Sequence, residues 1–190
     1  NTTWFGFDTL GRLTSVTNML GDVTRYQYDE LGQQITQIDA NNHTNKFEYD
    51  SLGRRVKRTL PGGQVETFAY NLGGQLTNRV DFNGYTNSFQ YDVMNRLLAR
   101  VPDPRRSESS VTYAYNVLGL RTNMTDASGS TAFEYDNRNR LASKTRTWAS
   151  VAGAPYTSVT LSYAYDANGS VTNIASSQAN GTSVTYEYDA

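Results

Sequence analysis

The chain has 190 residues with 17 lysines and arginines against 18 aspartates and glutamates, a balance that implies neither a field for nucleic acid nor a polybasic membrane patch. It contains no cysteine, which removes a disulfide framework, thiolate catalysis and thiolate metal sites together. Its 14 tyrosines, 7 phenylalanines and 2 tryptophans are too many aromatics for a disordered chain, so the protein is expected to fold with tyrosine carrying much of the burial.

The N-terminus, NTTWFGFDTLGRL, has no basic region leading into an apolar run, and no stretch approaches the roughly 18 to 20 apolar residues that span a bilayer. Membrane insertion is not expected. The first residues already read as the middle of a repeated pattern, so the chain is expected to be a piece of a longer array, with any export signal outside it.

Along the chain an aromatic followed by Asp or Asn recurs nine times: Phe7-Asp8, Tyr28-Asp29, Tyr49-Asp50, Tyr70-Asn71, Tyr91-Asp92, Tyr115-Asn116, Tyr135-Asp136, Tyr165-Asp166 and Tyr188-Asp189. The first four intervals are 21 residues each, and the next are 24, 20, 30 and 23. A second aromatic stands two residues earlier in every copy, at Phe5, Tyr26, Phe47, Phe68, Phe89, Tyr113, Phe133, Tyr163 and Tyr186. A spacing of two puts both rings on one face of a strand. The residue between them is Gln27, Glu48, Ala69, Gln90, Ala114, Glu134, Ala164 or Glu187 from the second copy on, which suits a solvent-facing position.

Four residues after the second ring comes Gly or Asn: Gly11, Gly32, Gly53, Gly74, Asn95, Gly119, Asn139 and Gly169. These residues accept positive φ cheaply, so each ring pair should run into a tight turn opened by the Asp or Asn. A second strand rich in Thr, Val, Ile and Leu follows, over 12–18, 34–39 and 75–81 for example, and then another turn, as at 20–22, 41–43, 61–63, 83–84 and 128–129. Each unit is two strands and two turns. No segment keeps an apolar spacing of three and four long enough for a helix. Alternation in Val159, Leu161, Tyr163 and Tyr165 against Thr160, Ser162 and Ala164 predicts one dry face and one wet face. The fold class is all-β: tandem hairpins in a curved antiparallel sheet, treated as one array over 1–190, with loop insertions near 102–110 and 148–158.

The unit, as it stands in FDTLGRLTSVTN, YDSLGRRVKRTLPGG, YDVMNRLLAR and YDNRNRLASKT, resembles the RHS/YD repeat family. That family includes bacterial RHS proteins, the C components of Tc toxin complexes, wall-associated proteins of Gram-positive bacteria, and teneurins. The resemblance implies a spiralling sheet that forms a hollow shell, often around a C-terminal toxin or other cargo, in an extracellular, secreted or cell-surface protein. It implies as partners further repeats of the same or identical chains and an enclosed toxin domain. Strand-bearing ends over 2–8 and 182–189 offer an alternative, a homopolymer built head to tail through strand edges. The self-cleaving segment of processing members is not found in this sequence, so no residue is assigned to autoproteolysis.

Chemistry weighs little against these structural roles. No catalytic, metal or cofactor residue is assigned, and no enzymatic activity or cofactor is expected. The Tyr-Asp pair suggests a base, but nine equivalent catalytic pairs make no sense, whereas Asp at the first turn position accepts backbone hydrogen bonds. His43, the one histidine, sits in a turn with no repeated partner. The turn clusters at 39–42, 81–84 and 126–129 offer oxygen atoms for calcium but lack its loop spacing. The basic run Arg54, Arg55, Lys57 and Arg58 should divide between faces and meet acids across strands, with Arg105-Arg106 the other basic cluster. The insertion loops at 102–108 and 148–158 are the places to look for lateral binding, as an adhesin would use. Sequons stand at Asn1, Asn42, Asn123, Asn168 and Asn180.

Overall fold

A computed structural model describes residues 2–149, 157–178 and 181–189. Among the described residues there are strands and turns and no helix. The chain divides into two compact units, 1–88 and 89–190. The first contains β1 (Trp4–Phe7), β2 (Leu13–Thr17), β3 (Val23–Tyr28), β4 (Gln34–Ile38), β5 (Thr44–Tyr49), β6 (Arg55–Thr59), β7 (Val65–Tyr70) and β8 (Leu76–Val80). β9 (Thr86–Tyr91) straddles the division, and its first three residues pair with β8. The second unit continues with β10 (Leu97–Val101), β11 (Val111–Tyr115), β12 (Arg121–Asp126), β13 (Gly129–Tyr135), β14 (Leu141–Trp148), β15 (Ser158–Tyr165), β16 (Val171–Ser176) and β17 (Ser183–Thr185). Within each unit, consecutive strands pair antiparallel.

The turn after each ring pair is one structure repeated. In the first, Gly11 N–H donates to the Asp8 carbonyl at 3.0 Å and Asp8 N–H to the Arg12 carbonyl at 2.9 Å, a three-residue loop closed by a left-handed residue. Gly11 has φ 78°, and Asn95 and Asn139 take the same role at 66° and 62°. The opposite turns at 18–22, 39–43, 60–64 and 81–85 use the same pair of backbone bonds. These bonds draw in Arg12 and Asn18, so β2 is shorter than the stretch 12–18 that reads as strand; β4 and β8 shorten likewise. The turn at 128–129 differs: Asp126 pairs directly with Gly129, whose φ is 131°.

Just before seven of the turns the register slips, as between Gly6 and Phe7, Gln27 and Tyr28, or Ala164 and Tyr165. Phe7 faces Leu13 while Gly6 faces Ser15, so one residue of the second strand bulges. The bulge re-aims the second ring relative to the first.

The residues between the rings are exposed from Gln27 to Glu187, as the alternation requires. The ring face is not the dry face that alternation predicts. Among the rings only Phe47 is buried, at 8%, whereas Phe5 and Phe7 are 58% and 62% exposed and Tyr186 and Tyr188 are also exposed. Polar residues share the face: Tyr26 stands opposite Gln37, which stands opposite Asn45, and the next rows are Phe47, Arg58, Glu66 and then Phe68, Arg79, Asn87. Glu66 and Asn87 are among the most buried side chains described, and Glu66 accepts a hydrogen bond from Arg79 Nε at 2.6 Å. A buried carboxylate needs that partner. The ring rows therefore alternate with a hydrogen-bonded polar ladder rather than merging into an apolar core.

Candidate functional site

The aromatic-Asp positions converge on the junctions between successive repeats. At most of them the phenol of the second ring reaches back over a strand. Tyr28 donates to the Leu13 carbonyl at 2.7 Å, Tyr49 to Gln34 at 2.8 Å and Tyr70 to Arg55 at 2.9 Å. Tyr115, Tyr135, Tyr165 and Tyr188 do the same to Leu97, Arg121, Leu141 and Val171. The hydroxyl is what the second ring position supplies. Its signal is present in the sequence: Phe and Tyr exchange freely at the first ring, while from the second copy onward the second is always Tyr.

The Asp does two jobs. Asp50 Oδ1 accepts from the N–H groups of Leu52 and Arg54 at 3.0 and 2.9 Å, which holds the turn, while Oδ2 receives Arg54 Nε at 2.7 Å. Arg54 then extends to the next repeat, where Nη1 donates to the Asn71 carbonyl at 3.0 Å and the guanidinium lies 4.9 Å from the Tyr70 ring centroid. Asp8-Arg12 clasps Tyr28 and Asp29 in the same way, Asp92-Arg96 clasps Tyr115 and Asn116, and Asp136-Arg140 clasps Tyr165 and Asp166. The backbone N–H of the arginine, first of all, and then its guanidinium hold the carboxyls of Asp8, Asp50, Asp92 and Asp136 below the ordinary aspartate value. This use of the arginine is not apparent from a reading that assigns the Asp to the turn alone.

The other candidates fall into local roles. The His43 ring lies 3.0 Å from Asp39 Oδ2 on an exposed turn, and the His43 backbone N–H is the main influence that lowers the Asp39 carboxyl. A shallow groove beside it is lined by Lys46, Thr59, Leu60 and Pro61. The oxygens offered at 39–42, 81–84 and 126–129 are engaged: Asp81 Oδ1 accepts from Asn83 and Tyr85, and Asp126 accepts from Ser128 N–H and hydroxyl and from Arg146. No group of three acidic or histidine side chains suited to a metal occurs among the described residues. The basic run divides as the strand geometry predicts. Arg54 enters the clasp, Arg55 lies over Phe47, Lys57 meets Glu48 at 2.8 Å and Arg58 lies over Phe82.

Of the two insertions, 102–108 is tied to itself. Asp103, which is buried, accepts from Arg105, and Glu108 pairs with Arg100 and Arg106. Most of the second insertion, 150–156, lies outside the described residues, as do Asn1 and Asn180. Asn42 and Asn168 are exposed at turns and Asn123 is half-buried on β12.

The tips of the turns after the ring pairs carry aliphatic residues in the open: Leu10, Leu31, Leu52 and Leu72 in the first unit are 71% exposed or more, and Val93, Met94, Val117 and Leu118 repeat this in the second. Turn geometry does not ask for them, since Arg138 and Asn168 stand at equivalent tips.

Residues 2–154 match the family described as Teneurin YD-shell. No curated protein matches. Among solved structures, a chain of the TcdB2-TccC3-Cdc42 crystal structure superposes on 96% of this chain with a TM-score of 0.78 at 18% identity. A TcdB2-TccC3 structure without its hypervariable C-terminal region gives 0.77 at 17% identity. The Tc holotoxin pore of Photorhabdus luminescens, carrying a TccC3 mutation, gives 0.70 at 20% identity. At these identities the likeness is one of fold. The chain spans 12% of the first two of those chains and 10% of the third.

Proposed function

Because the chain belongs to the teneurin YD-shell family, in which it is a structural shell segment, we propose that it is a run of wall that encloses a cavity or cargo in a secreted or cell-surface protein and performs no chemistry itself. The observation that carries this is the state of the ring face. Among the described residues, Phe47 and Ala99 are the only buried apolar side chains, so the sheets do not wrap a core of their own. A sheet that holds aromatic rows half-open needs a second surface over them. In a wall, cargo and further repeats supply that surface. The exposed leucines at the turn tips give such repeats an apolar rim to meet.

The polar groups support the same reading. The turn carboxylates hold backbone N–H groups of their own sheet, and Asp8, Asp50, Asp92 and Asp136 hold an arginine as well, which commits them to structure. The matched structures are of toxin complexes, which favours a toxin-like cargo, with further repeats of the same or an identical chain as the immediate partners. A filament that grows by strand addition at the edges of the array is the second reading. The loop at 102–108 satisfies its own charges, which gives lateral adhesion no comparable support.

Electron microscopy of the purified chain, with light scattering over a concentration series, separates the two readings. Discrete particles of concentration-independent mass are expected for a length of wall. Filaments with a regular axial rise would overturn that reading in favour of the fibre.

A further inference from the structure

The four Asp-Arg clasps do not fall on every repeat. Asp8, Asp50 and Asp92 lie 42 residues apart, and so do Arg12, Arg54 and Arg96; Asp136 and Arg140 follow 44 residues later. The turns between them carry Gln33, Gln75 and Leu120 in the arginine position, and the turn after the last carries Ser170. Those turns are intact. Gln33 N–H donates to Asp29 Oδ1 at 2.8 Å, Gln75 N–H to Asn71 Oδ1 at 3.0 Å, and Leu120 and Ser170 repeat the bond to Asn116 and Asp166. The turn therefore does not need the arginine. What the arginine adds is reach, into the carbonyl and onto the ring of the following repeat.

We infer that the joints between repeats alternate between pinned and unpinned, so that the block that opens and closes as one is a pair of repeats, 42 residues in the regular part of the chain. In the first unit, β2–β3 and β6–β7 are pinned by Arg12 and Arg54, while β4–β5 between them carries at that end the Tyr49 hydroxyl and, among the described residues, no guanidinium. In the second unit, β10–β11 and β14–β15 are pinned by Arg96 and Arg140, while Tyr135 and Tyr188 hold β12–β13 and β16–β17 with no guanidinium over the ring among the described residues. Local opening follows the weakest joint, so exchange of backbone amides should read this alternation directly. A charge-assisted hydrogen bond together with a guanidinium over a ring corresponds to roughly a tenfold difference in local opening.

The regular joints of the first unit provide the test, in hydrogen exchange of the whole chain followed by mass spectrometry. Peptides covering β4–β5 are expected to exchange about tenfold faster than those covering β6–β7. Fraying from the ends of the unit would not place the minimum of protection at this interior joint. Arg54→Gln, which copies the natural Asp29-Gln33 pair, should speed β6–β7 about tenfold and leave β2–β3 unchanged, and Gln33→Arg should slow β4–β5 by a similar factor. Both variants keep the turn chemistry that neighbouring repeats already use, and a melting curve establishes that each is folded before exchange is read. Equal protection at the three joints, with neither substitution moving its own joint, would overturn the inference.

Discussion

Replacing Tyr49 by Phe removes one oxygen and nothing else from a joint between repeats. The ring stays on its face, and the hydrogen bond to the Gln34 carbonyl, 2.8 Å long and part-buried, is lost. The net value of such a bond is about 0.5 to 1.5 kcal/mol. For a chain of this size, about 1 kcal/mol corresponds to a fall of roughly 2 to 4 °C in the melting midpoint. Tyr26→Phe is the control. Tyr26 occupies the first ring position, which other repeats fill with Phe, and its hydroxyl has no hydrogen bond among the described residues. It should melt within about a degree of the parent, since a surface change of this kind stays within about 0.5 kcal/mol. Thermal unfolding followed by far-ultraviolet circular dichroism, with a urea titration alongside, measures both. If Tyr49→Phe melts like the parent, or if Tyr26→Phe costs as much, then the phenol-to-carbonyl bond is not what joins the repeats.

Three further outcomes follow from the same contacts. The folded-state pKa values of Asp8, Asp50, Asp92 and Asp136 lie below the ordinary 3.8, so their contribution is fully present above that value and is lost as pH falls through the lowered values; the melting midpoint should be flat from these groups between pH 5 and 8 and drop below about pH 4, and an unchanged midpoint down to pH 2 would contradict the clasp. Phe47→Ala opens a hole at the one buried ring among the described residues and should cost about 3 kcal/mol, whereas His43→Ala, on an exposed turn, should stay within about 0.5 kcal/mol, as urea titrations would show. Gly129→Ala should lower the melting midpoint clearly, because φ there is 131° and a methyl group would press into the Thr147 carbonyl oxygen, while a midpoint equal to the parent's would mean that the β12–β13 turn adopts another form.

The architecture was legible in the sequence because its punctuation is chemical. Only Gly or Asn accepts the left-handed position cheaply, so Gly11, Asn95 and Asn139 mark the turns without further information, and the two-residue spacing of Phe47 and Tyr49 fixes their common face. The Tyr hydroxyl was also legible, through its constancy at the second ring against the Phe and Tyr exchange at the first. The polar ladder was not. Gln37, Arg58 and Arg79 alternate along their strands as solvent-facing residues do, and only the register shows that they stand opposite the rings. The bulge before the turns that follow the ring pairs hides this, because it shifts the parity of the second strand by one residue relative to the first. The arginine clasp was half-visible: Arg four residues after Asp suggests a pair, but the onward contact to Asn71 or Asn116 depends on how the next hairpin lies beside it. The leucines at the turn tips were unreadable for a different reason. A tip residue is free of the turn's own requirements, so its identity reports on what lies outside the sheet.

The central claim is that this chain is an extensible wall in which each repeat is held by its neighbours. Duplicating residues 44–85, two whole repeats with their Asp50-Arg54 clasp, and inserting the copy after Tyr85 tests that claim directly. A linear array gains an interface for each repeat added. The account predicts a longer chain that remains all-β and unfolds in a single transition at a higher midpoint than the parent. A separate, lower-melting transition for the inserted segment, or a midpoint below the parent's, would contradict it.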